Sequence, residues 1–208
     1  MSPDAAPPQF APGLAPEEAA RADFYALLAR LYYDAPDVAL LSALAGADEI
    51  VAEESSGEGA GFALAWRDLT LAAAAADPAA LEEEYQALFI GVGKAQVTPY
   101  ASAYLATSAV EAPLVDLRAY LAQRGIGRRT SVNEPEDHIA ALCELMRFLI
   151  AEQHAPLEAQ QSVFDRFLRP AANQLCDAVV KCEQASFYRA VACFTKQFLE
   201  VEYAAFRM

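Results

Sequence analysis

The residues best placed to do chemistry in this chain form one run, Glu134-Pro135-Glu136-Asp137-His138, in which three carboxylates flank one of only two histidines. Carboxylates clustered beside an imidazole can ligate a metal or receive a cationic group from a partner. The run is expected to open a helix. Asn133 can cap it, with Glu136 three residues on completing a capping box, or Glu134 can cap it with Pro135 at the first helical position. From Ile139 the apolar residues Leu142, Cys143, Leu145, Met146, Leu149 and Ile150 follow at the three-and-four spacing of a buried helical face. A helix start favours carboxylates but not a cationic histidine, a penalty that Asp137 or Glu134 would offset. A well-capped helix with a structural histidine also accounts for these residues.

Chemistry of the catalytic kind finds little support. A di-iron carboxylate centre needs two Glu-x-x-His repeats and two further glutamates on facing helices. The chain has only His138 and His154, and neither has glutamate three positions earlier. Ser102, between Tyr100 and Tyr104, lacks the local base and orienting acid of a nucleophile, so it is read as a cap or a loop hydrogen bond. Gly91-Val92-Gly93-Lys94 lacks the spacing of a phosphate-binding loop, and no strand precedes it. The chain is therefore expected not to be an enzyme and to hold no cofactor and no metal.

Charge narrows the partners. A net charge of -14 and a pI near 4.5 exclude a general nucleic-acid binder, which needs a basic face to neutralise phosphates. They favour a cationic partner, although an acidic surface also keeps a protein dispersed. The four cysteines, Cys143, Cys176, Cys182 and Cys193, show no C-x-x-C pair and no zinc spacing, and read as buried free thiols of a reducing compartment. No apolar run approaches the roughly 18 residues of a membrane span. Residues 1–16 hold five prolines and no cationic start before an apolar core, so they read as a flexible leader and not a signal peptide or anchor. The expectation is a cytoplasmic protein without stable membrane insertion.

The elements that must position these residues are helical. Leu, Ala, Glu and Arg dominate, and Val, Ile and Thr form no alternating run. The fold class expected is all-α, a single helical domain of about nine to eleven helices in two halves joined by a hinge linker. An N-terminal helical half spans 17–124, a linker with Arg128-Arg129 spans 125–134, and a C-terminal half spans 135–208. The first half starts at Pro16-Glu17-Glu18 and runs to Tyr33 with Phe24, Leu27, Leu28 and Leu31 as its core face. Short helices follow to Leu44 and to Glu54, then a loop over Ser55–Gly59 and a helix over 62–76. Asp77-Pro78 caps a helix carrying Leu81, Tyr85, Leu88 and Phe89, released at Gly91 and Gly93, and a further helix runs from Glu111 to Arg124. The second half holds long helices at 135–153, at 157–183 with a break at Pro170, and at 185–206.

Two blocks carry a resemblance. Glu134-Pro135-Glu136-Asp137-His138-Ile139 is similar to an E-P-x-D-H-[IL] signature. Tyr85-Gln86-Ala87-Leu88-Phe89-Ile90-Gly91, then Pro99-Tyr100-Ala101-Ser102-Ala103-Tyr104-Leu105, is similar to Y-x-x-L-F-x-G followed by P-Y-x-S-x-Y. In that order they resemble the signatures of the TorD/DmsD family of redox-enzyme maturation chaperones, over about residues 17–205. The match departs at Phe167-Leu168-Arg169-Pro170-Ala171, where Phe167 and Ala171 replace the His and Trp of an H-L-x-P-W element, which puts any partner contact by those two in doubt.

The resemblance implies a cytoplasmic, system-specific chaperone of a molybdenum-cofactor oxidoreductase. It would bind the apo-enzyme catalytic subunit, its twin-arginine signal peptide, or both, assisting cofactor insertion and delaying export. By the same resemblance Glu134, Pro135, Glu136, Asp137 and His138 supply a polar end of the binding site, and Leu88, Phe89, Tyr100, Ser102 and Tyr104 line or support an apolar end. A monomer or a half-exchanged dimer both suit a two-halved chain. A helical interaction domain with an unrelated partner is the alternative that composition alone allows.

Overall fold

Proline in the first turn with Glu17 and Glu18 behind it starts α1, Pro16–Tyr33, where the lone N–H that proline lacks has no helical partner in any case. The computed structural model describes residues 14–51, 57–91, 95–105, 113–127 and 134–208. Asp37 accepts from the Leu40 N–H and so caps α2, Val38–Ala45, which ends at Gly46. Next come α3, Gly57–Ala74, and α4, Pro78–Tyr85, which Asp77 caps through the Ala79 N–H. A π turn, Gln86–Ile90, extends α4 until Gly91 takes a φ of 66°, a conformation that costs glycine little. Two shorter helices follow, α5 over Ser102–Leu105 and α6 over Pro113–Gln123, the latter closed by Gly125 at φ 65°. The remainder is α7, Ile139–Ala151, then α8, Leu157–Val163, a π turn at Phe164–Leu168, α9, Arg169–Lys181, and α10, Phe187–Ala205.

One hydrophobic core serves all of it. α1 lies along α7, α3 along α10, and α10 along α9, so helices from both ends of the chain are interleaved. Tyr25, Leu28, Leu31 and Tyr32 form the buried face of α1, with Phe24 and Leu27 at its margin. Phe24, Phe62, Trp66, Phe194 and Phe198 join α1, α3 and α10 through ring contacts with centroids 5.3–6.4 Å apart. Beneath them Arg21 grips both oxygens of the buried Glu202 at 2.7 and 2.9 Å, and Tyr25 donates to the same carboxylate at 2.8 Å. The all-α expectation holds, with ten α-helical segments and no strand among the described residues. An isolated antiparallel bridge links Tyr100 and His138.

Several expectations are corrected. The helix after the carboxylate run begins at Ile139 and not at 134 or 135, so Glu134 to His138 form the turn that precedes it. Pro170 does not break its helix: the chain widens into a π turn just before it, the Arg169 N–H bonding to the Phe164 carbonyl, which absorbs the missing donor and ring clash of a mid-helix proline. Residues 47–51 are not helical, while 57–59 lie inside α3. Of the four cysteines only Cys143 and Cys176 are buried; Cys182 follows α9 as its cap and is half-buried, and Cys193 is exposed. Most of the leader (1–13), Glu54 to Ser56, Gly93 and Lys94, the Glu111 start of α6, Arg128-Arg129 and Asn133 lie outside the described residues.

Candidate functional site

The two signature blocks meet. Beyond the end of α4, the Val97 N–H returns to the Leu88 carbonyl at 2.8 Å, which leads the chain back to Pro99. There the segment 99–102 pairs with 137–139: Ile139 N–H donates to Pro99 O and Ala101 N–H to Asp137 O, both at 2.8 Å. The Asp137 carboxylate accepts the Ser102 N–H at 3.0 Å, so it holds the first turn of α5. Asp137 and His138 are almost fully buried, at 3% and 4% exposure, and function as a clasp inside the protein.

His138 is the N-cap of α7. Its Nδ1 accepts the Ala140 N–H at 3.1 Å, a task that requires an unprotonated nitrogen. Burial lowers its pKa, outweighing the opposing pull of Glu134 and Asp137. The ring also meets the edge of Tyr100, with centroids 5.2 Å apart. Tyr100 in turn donates to Glu134 at 2.6 Å, and this hydrogen bond, followed by burial, pushes its phenol pKa up to about 12.

Beside the clasp lies a groove of about 680 Å³ between α1, α7 and the end of α6. Ala26 and Ala29 on α1, Ala141 and Leu145 on α7, Leu121 near the end of α6 and Ile126 after it give it apolar walls. Three carboxylates, Glu134, Glu136 and Glu144, border the same groove, together with Arg30 and Arg147. Carboxylates next to an apolar floor suit a segment that carries cations at one end and apolar residues along the rest.

The sequence-derived residues thus separate into groups. Glu134, Glu136 and His138 border the groove. Pro135 offers its carbonyl to the His138 N–H at 3.2 Å, and Asp137 lies behind in the clasp. Tyr100 does not line the groove but touches two residues that do, Glu134 and His138; Ser102 and Tyr104 are not lining residues either, and Tyr104 donates to Thr98 O at 2.8 Å while burial lifts its pKa to about 12. Leu88 and Phe89 are core residues at 0% and 4% exposure and form no part of the groove's wall. Phe167 is buried against Tyr120, and Ala171 is fully buried, so both fill core positions.

The structure adds residues that sequence reading missed. The alanines of α1 and α7 carried no signal beyond helix propensity. Arg118 on α6 pairs with Glu136 at 2.9 Å, 18 residues further on, a separation that no spacing rule bridges. Among the described residues there is no group of three or more His, Cys, Asp or Glu arranged to hold a metal ion. No described helix is long and apolar enough to cross a membrane.

Comparison with known proteins bears on the same segment. Residues 56–177 match the family model described as nitrate reductase delta subunit. A Tat proofreading chaperone DmsD from Haemophilus influenzae is 33% identical over 122 residues, covering 58% of this chain and 59% of that protein. A chaperone protein TorD from Aliivibrio fischeri is 29% identical over 136 residues, covering 59% of this chain and 62% of that one. The matched region thus spans about three-fifths of these relatives' own length. A crystal structure of a candidate redox enzyme maturation protein from Archaeoglobus fulgidus superposes with a TM-score of 0.55 at 19% identity, covering 93% of this chain and 98% of that one, a likeness of fold. Since the matched model takes in more than half of the chain, including both blocks that close the clasp, the chain belongs to the TorD/DmsD family of redox-enzyme maturation chaperones, described as nitrate reductase delta subunit.

Proposed function

We propose that this protein is a non-enzymatic, cytoplasmic chaperone of a molybdenum-cofactor oxidoreductase. It binds the apo-enzyme, its twin-arginine signal peptide, or both, so that cofactor insertion precedes export. Family membership supports the chaperone role, in keeping with relatives named as a Tat proofreading chaperone and as chaperone protein TorD. The observation that carries the peptide-binding half is the groove, where Glu134, Glu136 and Glu144 stand beside an alanine- and leucine-lined floor. Guanidinium groups pair best with carboxylates, and an apolar helix needs a low, dry floor, so one groove meets both needs of such a signal. The clasp formed by Asp137 and His138 supports the reading indirectly, by fixing the turn that carries Glu134 and Glu136.

The test is calorimetric titration with twin-arginine signal peptides from molybdoenzymes of the same genome, each paired with a Lys-Lys version. Binding by one peptide that weakens with Lys-Lys is expected. Equal binding of both versions refutes guanidinium recognition. Silence from every peptide and from the purified apo-enzyme overturns the reading in favour of an interaction domain with an unrelated partner.

A further inference from the structure

Each groove carboxylate is already engaged within the protein. Glu144 is held by Arg147, at 2.7–3.0 Å, and Glu134 accepts from Tyr100. Glu136 accepts from Arg118, whose Nε and Nη2 both lie 2.9 Å from the same oxygen. Arg118 stands apart from the other two donors. It is rooted on α6, does not line the groove, and is 52% exposed, whereas Glu136 is 18% exposed. Letting go of Glu136 returns its guanidinium to water at little cost, because exposed ion pairs are weak. A ligand guanidinium reaching Glu136 from the groove side competes for the same carboxylate in drier surroundings.

We propose that Arg118 is a tethered competitor for Glu136, one that weakens binding of a cationic ligand and makes its release possible. The inference rests on the reading of the groove as a receptor for paired arginines. While Arg118 occupies Glu136, only a fraction of the protein is competent, and the apparent dissociation constant rises by the inverse of that fraction. Binding then exchanges one ion pair for another at this carboxylate, so this part of the affinity responds little to salt. Without Arg118 no pair with it has to be broken, so the same contact gains more and is screened more as salt rises.

The experiment titrates a synthetic peptide, two adjacent arginines followed by an apolar helical segment from the client, into the full chain at low and high salt. The proteins are wild type, Arg118→Met, Glu136→Gln, the double variant, and Arg67→Met as a control for the lost charge, since Arg67 lies on α3 outside the groove. Arg118→Met is expected to bind about two- to fivefold more tightly than wild type, beyond any change in the control, and to lose more affinity with salt. In the Glu136→Gln background the substitution is expected to match the control; if that background binds too weakly to measure, the excess over the control and the salt slope decide. An Arg118→Met protein that follows the control in affinity and salt slope overturns this inference alone. A peptide that binds neither wild type nor Arg118→Met overturns it together with the peptide-binding reading.

Discussion

The Asp137 carboxylate accepts the backbone N–H of Ser102 at 3.0 Å, and through that contact a residue of the turn before α7 holds the first turn of α5. Asp137 is buried and Ser102 half-buried, so the bond is partly shielded from water. Asp137→Ala leaves the Ser102 N–H unpaired and is expected to cost about 1–3 kcal/mol, whereas Asp137→Asn keeps an acceptor and loses less. Chemical denaturation of the two variants checks this. An alanine variant as stable as wild type removes the clasp from the account, and unchanged peptide affinity and client activation in Asp137→Ala and His138→Ala removes both residues from the site.

His138 makes stability depend on pH in a known direction. Burial lowers its folded pKa, so below the unfolded value of about 6.5 the unfolded chain binds the proton more readily. The stabilisation is therefore complete above that value and is lost as pH falls through the lowered folded pKa. His138→Asn, which keeps a capping oxygen for the Ala140 N–H but does not titrate, is expected to flatten the fall in Tm over that window. Scanning calorimetry of both proteins from neutral to mildly acid pH measures the difference, and parallel curves exclude His138 as its source.

Tyr85 closes the end of α1 from another helix. Its phenol donates to the Tyr33 carbonyl at 2.7 Å and lies 3.3 Å from that of Tyr32. Tyr85→Phe is expected to cost about 0.5–1.5 kcal/mol for the hydrogen bond. Tyr85→Ala or Phe89→Ala should cost about 3–5 kcal/mol, the scale for a buried aromatic. Phe89→Ala protein that remains folded should bind peptide as wild type does, because Phe89 lies outside the groove. Weakened affinity at unchanged stability contradicts its placement in the core.

Glu84 is the cap that α10 does not carry itself. Ser186 at the N-cap makes no side-chain capping hydrogen bond, and the Glu84 carboxylate instead accepts from the N–H groups of Ser186, Phe187 and Tyr188 at 2.8, 3.2 and 2.9 Å. Glu84→Ala is expected to cost about 0.5–2 kcal/mol, the range for a lost cap. Hydrogen exchange should then show faster opening confined to the first turn of α10. Uniform exchange along the whole helix argues for a different cause.

What the sequence determined by itself was local. Pro16 with Glu17 and Glu18, Asp77 before Pro78, and the three-and-four stripe from Ile139 to Ile150 are rules satisfied within a few residues, and the helices stand where those rules put them. The two motif blocks were legible as well, because the family signature is written in contiguous residues. Tertiary structure decided everything that depends on residues far apart in the chain. The helix start expected from a capping box at Asn133, or from Glu134 as cap before Pro135, gave way to a later start, because pairing of 137–139 with 99–102 takes the backbone groups a helix there would have used. Leu88 and Phe89 pass the same periodicity test whether they face a groove or a core, and only the packing of α1 and α10 around them chose the core. The groove itself arises where α1 and α7 present alanines to each other's flank, and its carboxylates find partners such as Arg118 that no spacing could assign.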